Sequence, residues 1–529
     1  MQNVKTGFLL LGLILALVAC NEVNQEEITP TTMVPTSTPV PATATLVPTA
    51  TITPIPTLRA DGPLSDEGPY LVYKDIEDGV LSIVLVSGDG SGRKVIAFPE
   101  NSTIDNLRTA LSPDGQWLAF HSGTLSDTFE DAANNNLTLN LMHLPDGEIT
   151  QVANLLSNDF LDKFPLFVDA VYALEEYPES LTNDAGYREW IWDVFRFGLF
   201  KLAWSPHGNY LAYIGQIEGV SPDIHLYDMQ TQTSSRLSNG LDVVQYMKWS
   251  PNETNLFFGV SHESAVNDTN TYYLANIEKA SIELEGYSGC GGATAFREWL
   301  SEDQILTHCR VNILGHGFLY ARDLIGENKQ RIYPDQFNDY IYDAEQNYLL
   351  LSASMTVGDD YLDYVSGIRF YYPETGEEVF LREGYYPVLL QVDLDEYKYI
   401  AWGNRERNIE KLETIGITEE GEIVPIRDYE AMVFLSPDKR WMVLKGYKED
   451  LEIISTQTDQ SYVLSDIDVA RVFWRPDSQV LFFSTSDLIQ TGSSAWETEL
   501  FYYDFMNNVV ALIDSFIKDH PLFSFVWIP

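Results

Sequence analysis

One pattern recurs along this chain and restricts its fold more than any other feature. Its clearest copies read LSPDGQWLAFHS (residues 111–122), WSPHGNYLAYIG (204–215), WSPNETNLFFGV (249–260), LSPDKRWMVLKG (435–446) and WRPDSQVLFFST (474–485). Fainter copies start at Trp299 (WLSEDQILTHCR), Tyr342 (YDAEQNYLLLSA) and Val392 (VDLDEYKYIAWG). Physically, each copy is the end of one strand, a tight turn and the start of another. Pro presets φ, Asp bonds back to the backbone, and Gly accepts a positive φ. The run after the turn alternates apolar and polar residues, as a strand does. A third strand and turn follow in DIHLYDMQTQTSSRL (223–237) and ELFYYDFMNNVVALI (499–513), and SSRL or VVALI supplies a fourth. No helical period competes with this pattern, which excludes helix-rich repeats.

The anchors mostly lie about 39 to 53 residues apart, the spacing of four-stranded propeller blades. The expected fold is therefore all-β: a single β-propeller over residues 62–529, of about eight blades within a range of seven to nine. One degenerate unit, around Tyr342 or Val392, is expected to fall short of a full blade. The closing residues, SFVWIP (524–529), repeat the start of the pattern seen in KLAWSP (201–206), YMKWSP (246–251) and VFWRP (472–476). Residues 70–98 read as strands two to four of a blade that lacks its first. The C-terminal strand is expected to supply it, pairing with the N-terminal blade and leaving no open sheet edge.

These W-S-P-D-G-x-x-L-A-F units resemble the TolB-like propeller repeat, which also occurs in the propeller of dipeptidyl-peptidase-IV-type proteins. The resemblance covers residues 62–529 at the level of the repeat. It implies a propeller and, through TolB, a protein–protein scaffold at the cell envelope. The peptidase activity of the second group resides in an α/β-hydrolase domain that follows the propeller, and none is expected after the closing strand here. GYSGC (286–290) fails the G-x-S-x-G pattern at its fifth position, and H-E-x-x-H is absent. The sialidase Asp box has another spacing than Ser112-Pro113-Asp114-Gly115-Gln116-Trp117. The expectation is a non-catalytic protein with no catalytic, cofactor-binding or metal-binding residues assigned.

The N-terminus carries an address. MQNVKTGFLLLGLILALVAC has one Lys, an apolar run and then Cys20, the layout of a signal peptide over residues 1–19. Leu17-Val18-Ala19-Cys20 resembles the bacterial lipobox, which implies cleavage before Cys20 and acylation of it. Two or three chains anchor stably where one is marginal. Residues 28–58 are almost wholly Thr, Pro, Ala and Val and uncharged, a stalk within 20–61 that favours extended polyproline II at about 3.1 Å per residue. The chain is thus expected outside the cytoplasm, held by Cys20 to the outer face of the cytoplasmic membrane or to an outer membrane. Cys290 and Cys309 remain as candidates for a disulfide.

The net charge is −46, which argues against nucleic acid and anionic bilayers as partners. It permits cationic partners or Ca²⁺, and no cofactor follows from the sequence. About 93 residues separate the Leu111 and Trp204 anchors. The surplus, residues 155–198, is aromatic-rich and helical in parts, and is expected to fold back on its own aromatics. SGDGSG (87–92) reads as a hairpin turn and GCGG (289–292) as a loop. His308 and His316 read as surface or structural residues. The expected function is a monomeric, membrane-anchored binding scaffold for an envelope protein. The alternatives are a carbohydrate-binding or carbohydrate-active propeller and a solute or Ca²⁺ sensor component.

Overall fold

Nine antiparallel sheets follow one another among the described residues, each with four principal strands in consecutive order. The computed structural model describes residues 51–52 and 63–529 apart from loop segments, the longest being 175–184, 286–293, 357–363, 403–411 and 489–495. The first sheet contains Tyr70–Glu77, Val80–Ser87 and Arg93–Ala97. The others occupy residues 102–154, 202–236, 243–285, 294–331, 339–383, 387–429, 431–464 and 469–518. Phe525–Ile528 takes the leading place in the first sheet, antiparallel to Tyr70–Glu77, with Tyr70 opposite Ile528 and Tyr73 opposite Phe525. The expected terminal pairing is thus present.

Nine lies at the top of the expected range of seven to nine, because neither candidate for a degenerate unit falls short. Around Tyr342 and after Val392 the chain forms full four-stranded sheets, Asp339–Asp343 through Glu377–Glu383 and Pro387–Gln391 through Ile423–Tyr429. These strands form although the copies lack the Pro and Gly of the turn. Two short strands are added: Asp487–Leu488 continues the line of Leu481–Thr485 against Trp496–Asp504 in the ninth sheet, and Thr51–Ile52 runs parallel to Ser461–Leu464 at the edge of the eighth. Thr51–Ile52 lies within the stretch expected as a free stalk.

Where side chains are described, the apolar runs are continuous because the sheets are buried on both faces. In the second strand of such a sheet, alternate residues reach opposite neighbours. Leu71 and Tyr73 pack with Phe482 and Leu500 of the ninth sheet, whereas Val72 packs with Leu118 and Phe120 of the second. Ala119 joins a cluster with Ala212 and Leu256 of the third and fourth. Phe257 meets Ile305 of the fifth, Leu306 meets Leu349 of the sixth, and Val443 of the eighth meets Phe483 of the ninth. Sheet nine therefore packs on sheet one as other consecutive sheets pack on each other.

The long insert forms two helices, Phe160–Leu174 and Ala185–Gly198. Phe160, Phe164 and Phe167 recur at the spacing of one helical face and meet Trp192 and Phe195, all five buried. Trp192 stacks on Phe195 at 5.6 Å and lies 5.7 Å from Phe160. Ser157, which leads into this pair, is bound by the Gln216 side chain at 2.7 Å. The insert thus folds back and buries these five aromatics against sheets two to four, while Phe197 stands exposed.

Candidate functional site

The turns that follow the leading strands form the most repetitive part of the molecule. In the second sheet, Ser112 Oγ donates to Asp114 Oδ1 (2.6 Å) and accepts from Trp117 N (2.9 Å), while Gly115 N donates to Ser112 O (2.9 Å). The eighth sheet repeats this with Ser436, Asp438 and Trp441, and the fourth with Ser250, Asn252 and Asn255. Burial opposes the charge of Asp438, but hydrogen bonds from Ser436 and Arg440 outweigh it and hold the carboxyl below its ordinary range.

The turns are also bonded to each other. Trp204 Nε1 donates to Ala110 O (2.9 Å), Trp249 Nε1 to Ala203 O (3.0 Å) and Trp474 Nε1 to Phe434 O (3.0 Å). Each acceptor is the residue just before the anchor of the preceding sheet. The fourth turn position makes a second link. Gly115, Gly208, Glu253 and Ser478 all sit there with φ between 60° and 75°. Glu253 Oε1 accepts His207 N (2.6 Å) of the preceding turn, and Ser478 Oγ accepts Asp438 N (2.9 Å). These bonds offset the cost of placing a side chain at positive φ. Where no side chain is present, the preceding turn fills the space: a Cβ on Gly115 would stand 2.6 Å from Ile528 Cβ and 3.0 Å from Pro529 Cδ. Between sheets nine and one, Arg475 Nη1 donates to Gly88 O at 2.9 Å.

At this end of the leading strands of sheets one to four lies a cavity of about 340 Å³, lined among others by Arg108, Trp204, Lys248, Trp249, Trp527 and Pro113. Among the described residues no carboxylate lines it. Arg108 and Lys248 are both exposed and make no ion pair among the described residues. Trp527 Nε1 is buried without an acceptor, unlike the indoles of Trp204 and Trp249.

Arg108 and Lys248 were not singled out by sequence reasoning. Lys248 stands beside an anchor in YMKWSP, and that proximity was the only available signal. Arg108 lies on the short helix Leu107–Ala110, which occupies the place where a leading strand was expected. Cys20, Cys290 and His316 fall outside the described residues. Cys309 lies in Gln304–Arg310, opposite Thr294 on one side and Phe318 on the other. His308 is buried, which selects the structural of the two expected readings, surface or structural. SGDGSG forms the expected turn, with Gly90 N donating to Ser87 O and Ser91 N to Asp89 Oδ1. Among the described residues no three His, Cys, Asp or Glu side chains gather as a metal-binding group.

No protein-family model and no curated protein matches the chain. Among solved structures it is similar to a eukaryotic initiation factor, at 13% identity and TM-score 0.48 over 87% of this chain and 98% of that one. It is similar to dipeptidyl peptidase 4 of Porphyromonas gingivalis, at 10% identity and TM-score 0.44 over 84% and 68%. It is also similar to TolB of Acinetobacter baumannii, at 12% identity and TM-score 0.25 over 68% and 82%.

Proposed function

We propose that the chain is a non-catalytic binding scaffold, its sheets arranged as one propeller ring closed by Phe525–Ile528. In this reading residues 1–19 are a signal peptide, Cys20 carries the lipid anchor, and the stalk holds residues 62–529 at the outer face of a bacterial membrane as a monomer. Cys290 and Cys309 form a disulfide across the fifth sheet. The partner is an envelope protein that docks on the rim of turns.

The observation that carries the reading is the bonding of turn to turn, through Trp204, Trp249, Glu253, Ser478 and Arg475. A rim fixed in this way is already ordered before a partner arrives, which removes much of the entropic cost of association.

The test uses the full-length chain in its native membrane, with a photo-crosslinking residue at Gln116 or Gln479 beside the turns, or at Val95 or Ile149 on exposed outer strands. One common protein adduct from the two rim positions, absent from the outer ones, is the expected result. Equal adducts from the outer strands, or a Cys20→Ser variant that stays in the membrane fraction, overturn the reading.

A further inference from the structure

We infer that the cavity between the leading strands of sheets one to four is a receptor site for a carboxylate-bearing saccharide, a uronate of one or two sugar units. The inference goes beyond the scaffold reading, and neither depends on the other.

Charge gives the first argument. Carboxylates outnumber cations 78 to 32 in this chain, so a space lined by two cations and, among the described residues, by no carboxylate departs from the average surface. Arg93, Arg236, Arg369, Arg440 and Arg475 pair with Asp514, Asp223, Glu378, Asp438 and Asp477. Arg108 and Lys248 make no such pair among the described residues and line the same cavity. A guanidinium offers a carboxylate two parallel donors, and an ammonium adds a point charge. The acidic surface elsewhere does not cancel this, because charges farther than about 8 Å are largely screened at physiological salt.

The indoles give the second. Trp204, Trp249 and Trp527 line the same space. The N–H groups of Trp204 and Trp249 are committed to Ala110 O and Ala203 O, which fixes both rings. Trp249 is buried and stacked on Tyr210 at 5.9 Å, so the half-buried Trp204 and Trp527 are the rings left to meet a ligand. A ring face, negative at its centre, attracts the C–H face of a pyranose. The same two bonds disfavour a peptide added as a strand, since they occupy carbonyls on the edges it would need. A volume of about 340 Å³ lies at the small end of ligand sites and suits one or two sugars.

The test is calorimetric titration of the full-length chain in detergent at pH 7 with digalacturonate, the neutral disaccharide galactobiose and the dipeptide Asp-Trp. We expect saturable binding of digalacturonate, at least tenfold weaker binding of galactobiose, and at least a tenfold loss in Arg108→Gln and in Lys248→Gln. Both side chains are exposed, so each variant should keep the parent melting temperature, which is checked alongside. Absence of saturable digalacturonate binding at millimolar concentration overturns the inference. So does equal binding of galactobiose, tighter binding of Asp-Trp, or unchanged binding in Arg108→Gln. The rim crosslinks are read separately, so the scaffold reading stands or falls on its own.

Discussion

Tyr73 Oη donates to Asp514 Oδ2 at 2.5 Å, joining residues 441 positions apart in the chain. Tyr73 belongs to the first sheet and Asp514 to the ninth, and Arg93 of the first sheet holds the same carboxylate at 2.7 Å. Burial, and then the charge of Asp514, raise the Tyr73 hydroxyl well above its ordinary pKa, so it remains a donor throughout the physiological range. A hydrogen bond to a charged acceptor contributes about 1.5–3 kcal/mol. Tyr73→Phe should therefore lower stability by about 2 kcal/mol, read as a shift in the urea midpoint. An unchanged midpoint would show that Arg93 alone satisfies Asp514.

The fourth turn position makes opposite predictions for two residues with nearly the same backbone. Gly115→Val places a branched side chain at φ +68° and against Ile528, and should cost about 2–5 kcal/mol from backbone strain and overpacking together. Ser478→Gly loses the bond to Asp438 N but relieves φ +63°, two effects of about 1 kcal/mol each with opposite sign. Its melting temperature should stay within a few degrees of the parent. Equal destabilisation of the two variants would contradict the account of the rim.

This turn shows what the sequence makes legible and what it hides. Pro, Asp and Gly announce the turn because their backbone preferences are local, and alternation announces the strands. The terminal pairing was also readable, since SFVWIP repeats the anchor of KLAWSP. The link from Glu253 to His207 was not, because it joins two copies and depends on how far one sheet is rotated against the next. The same holds for the cavity. Arg108 and Lys248 are 140 residues apart, and only the stacking of successive leading strands brings them to one space. A degenerate unit around Tyr342 or Val392 is expected from sequence because the turn chemistry there is weak, yet strands form at both.

Two buried histidines make the fold acid-sensitive. Burial lowers the pKa of both His121 and His225 from 6.5 to about 4. The unfolded chain then binds more protons than the folded one between these values, so the neutral-histidine contribution is complete above about pH 6.5 and is lost as pH falls toward 4. At 1.36 kcal/mol per unit, each contributes on the order of 3 kcal/mol. Carboxylates held low, such as Asp438 and Glu253, lose their contribution only at lower pH. Urea midpoints should therefore fall between pH 7 and pH 4.5, and a His225→Phe variant, which keeps a ring to stack on Tyr213, should fall by less. A flat profile across that interval in the parent would refute the assignment.

In the proposed ring the last strand is what closes it, so its removal separates a ring from a row of sheets. Phe525–Ile528 pairs with Tyr70–Glu77, buries Ile528, and sets Trp527 against Phe482 of the ninth sheet at 5.2 Å. Pro529 fills the slot beside Gly115. Deleting residues 524–529 leaves the edge of the first sheet unpaired and withdraws one buried and three half-buried apolar side chains from two interfaces. At about 1.5–3 kcal/mol for full burial and half that for half-burial, the loss is on the order of 5 kcal/mol. In a row, the damage would stay local to the first sheet. In a ring, the seam between sheets nine and one opens as well, so amides of Leu481–Thr485 should lose exchange protection together with those of Tyr70–Glu77. Protection retained in Leu481–Thr485 would argue for a row.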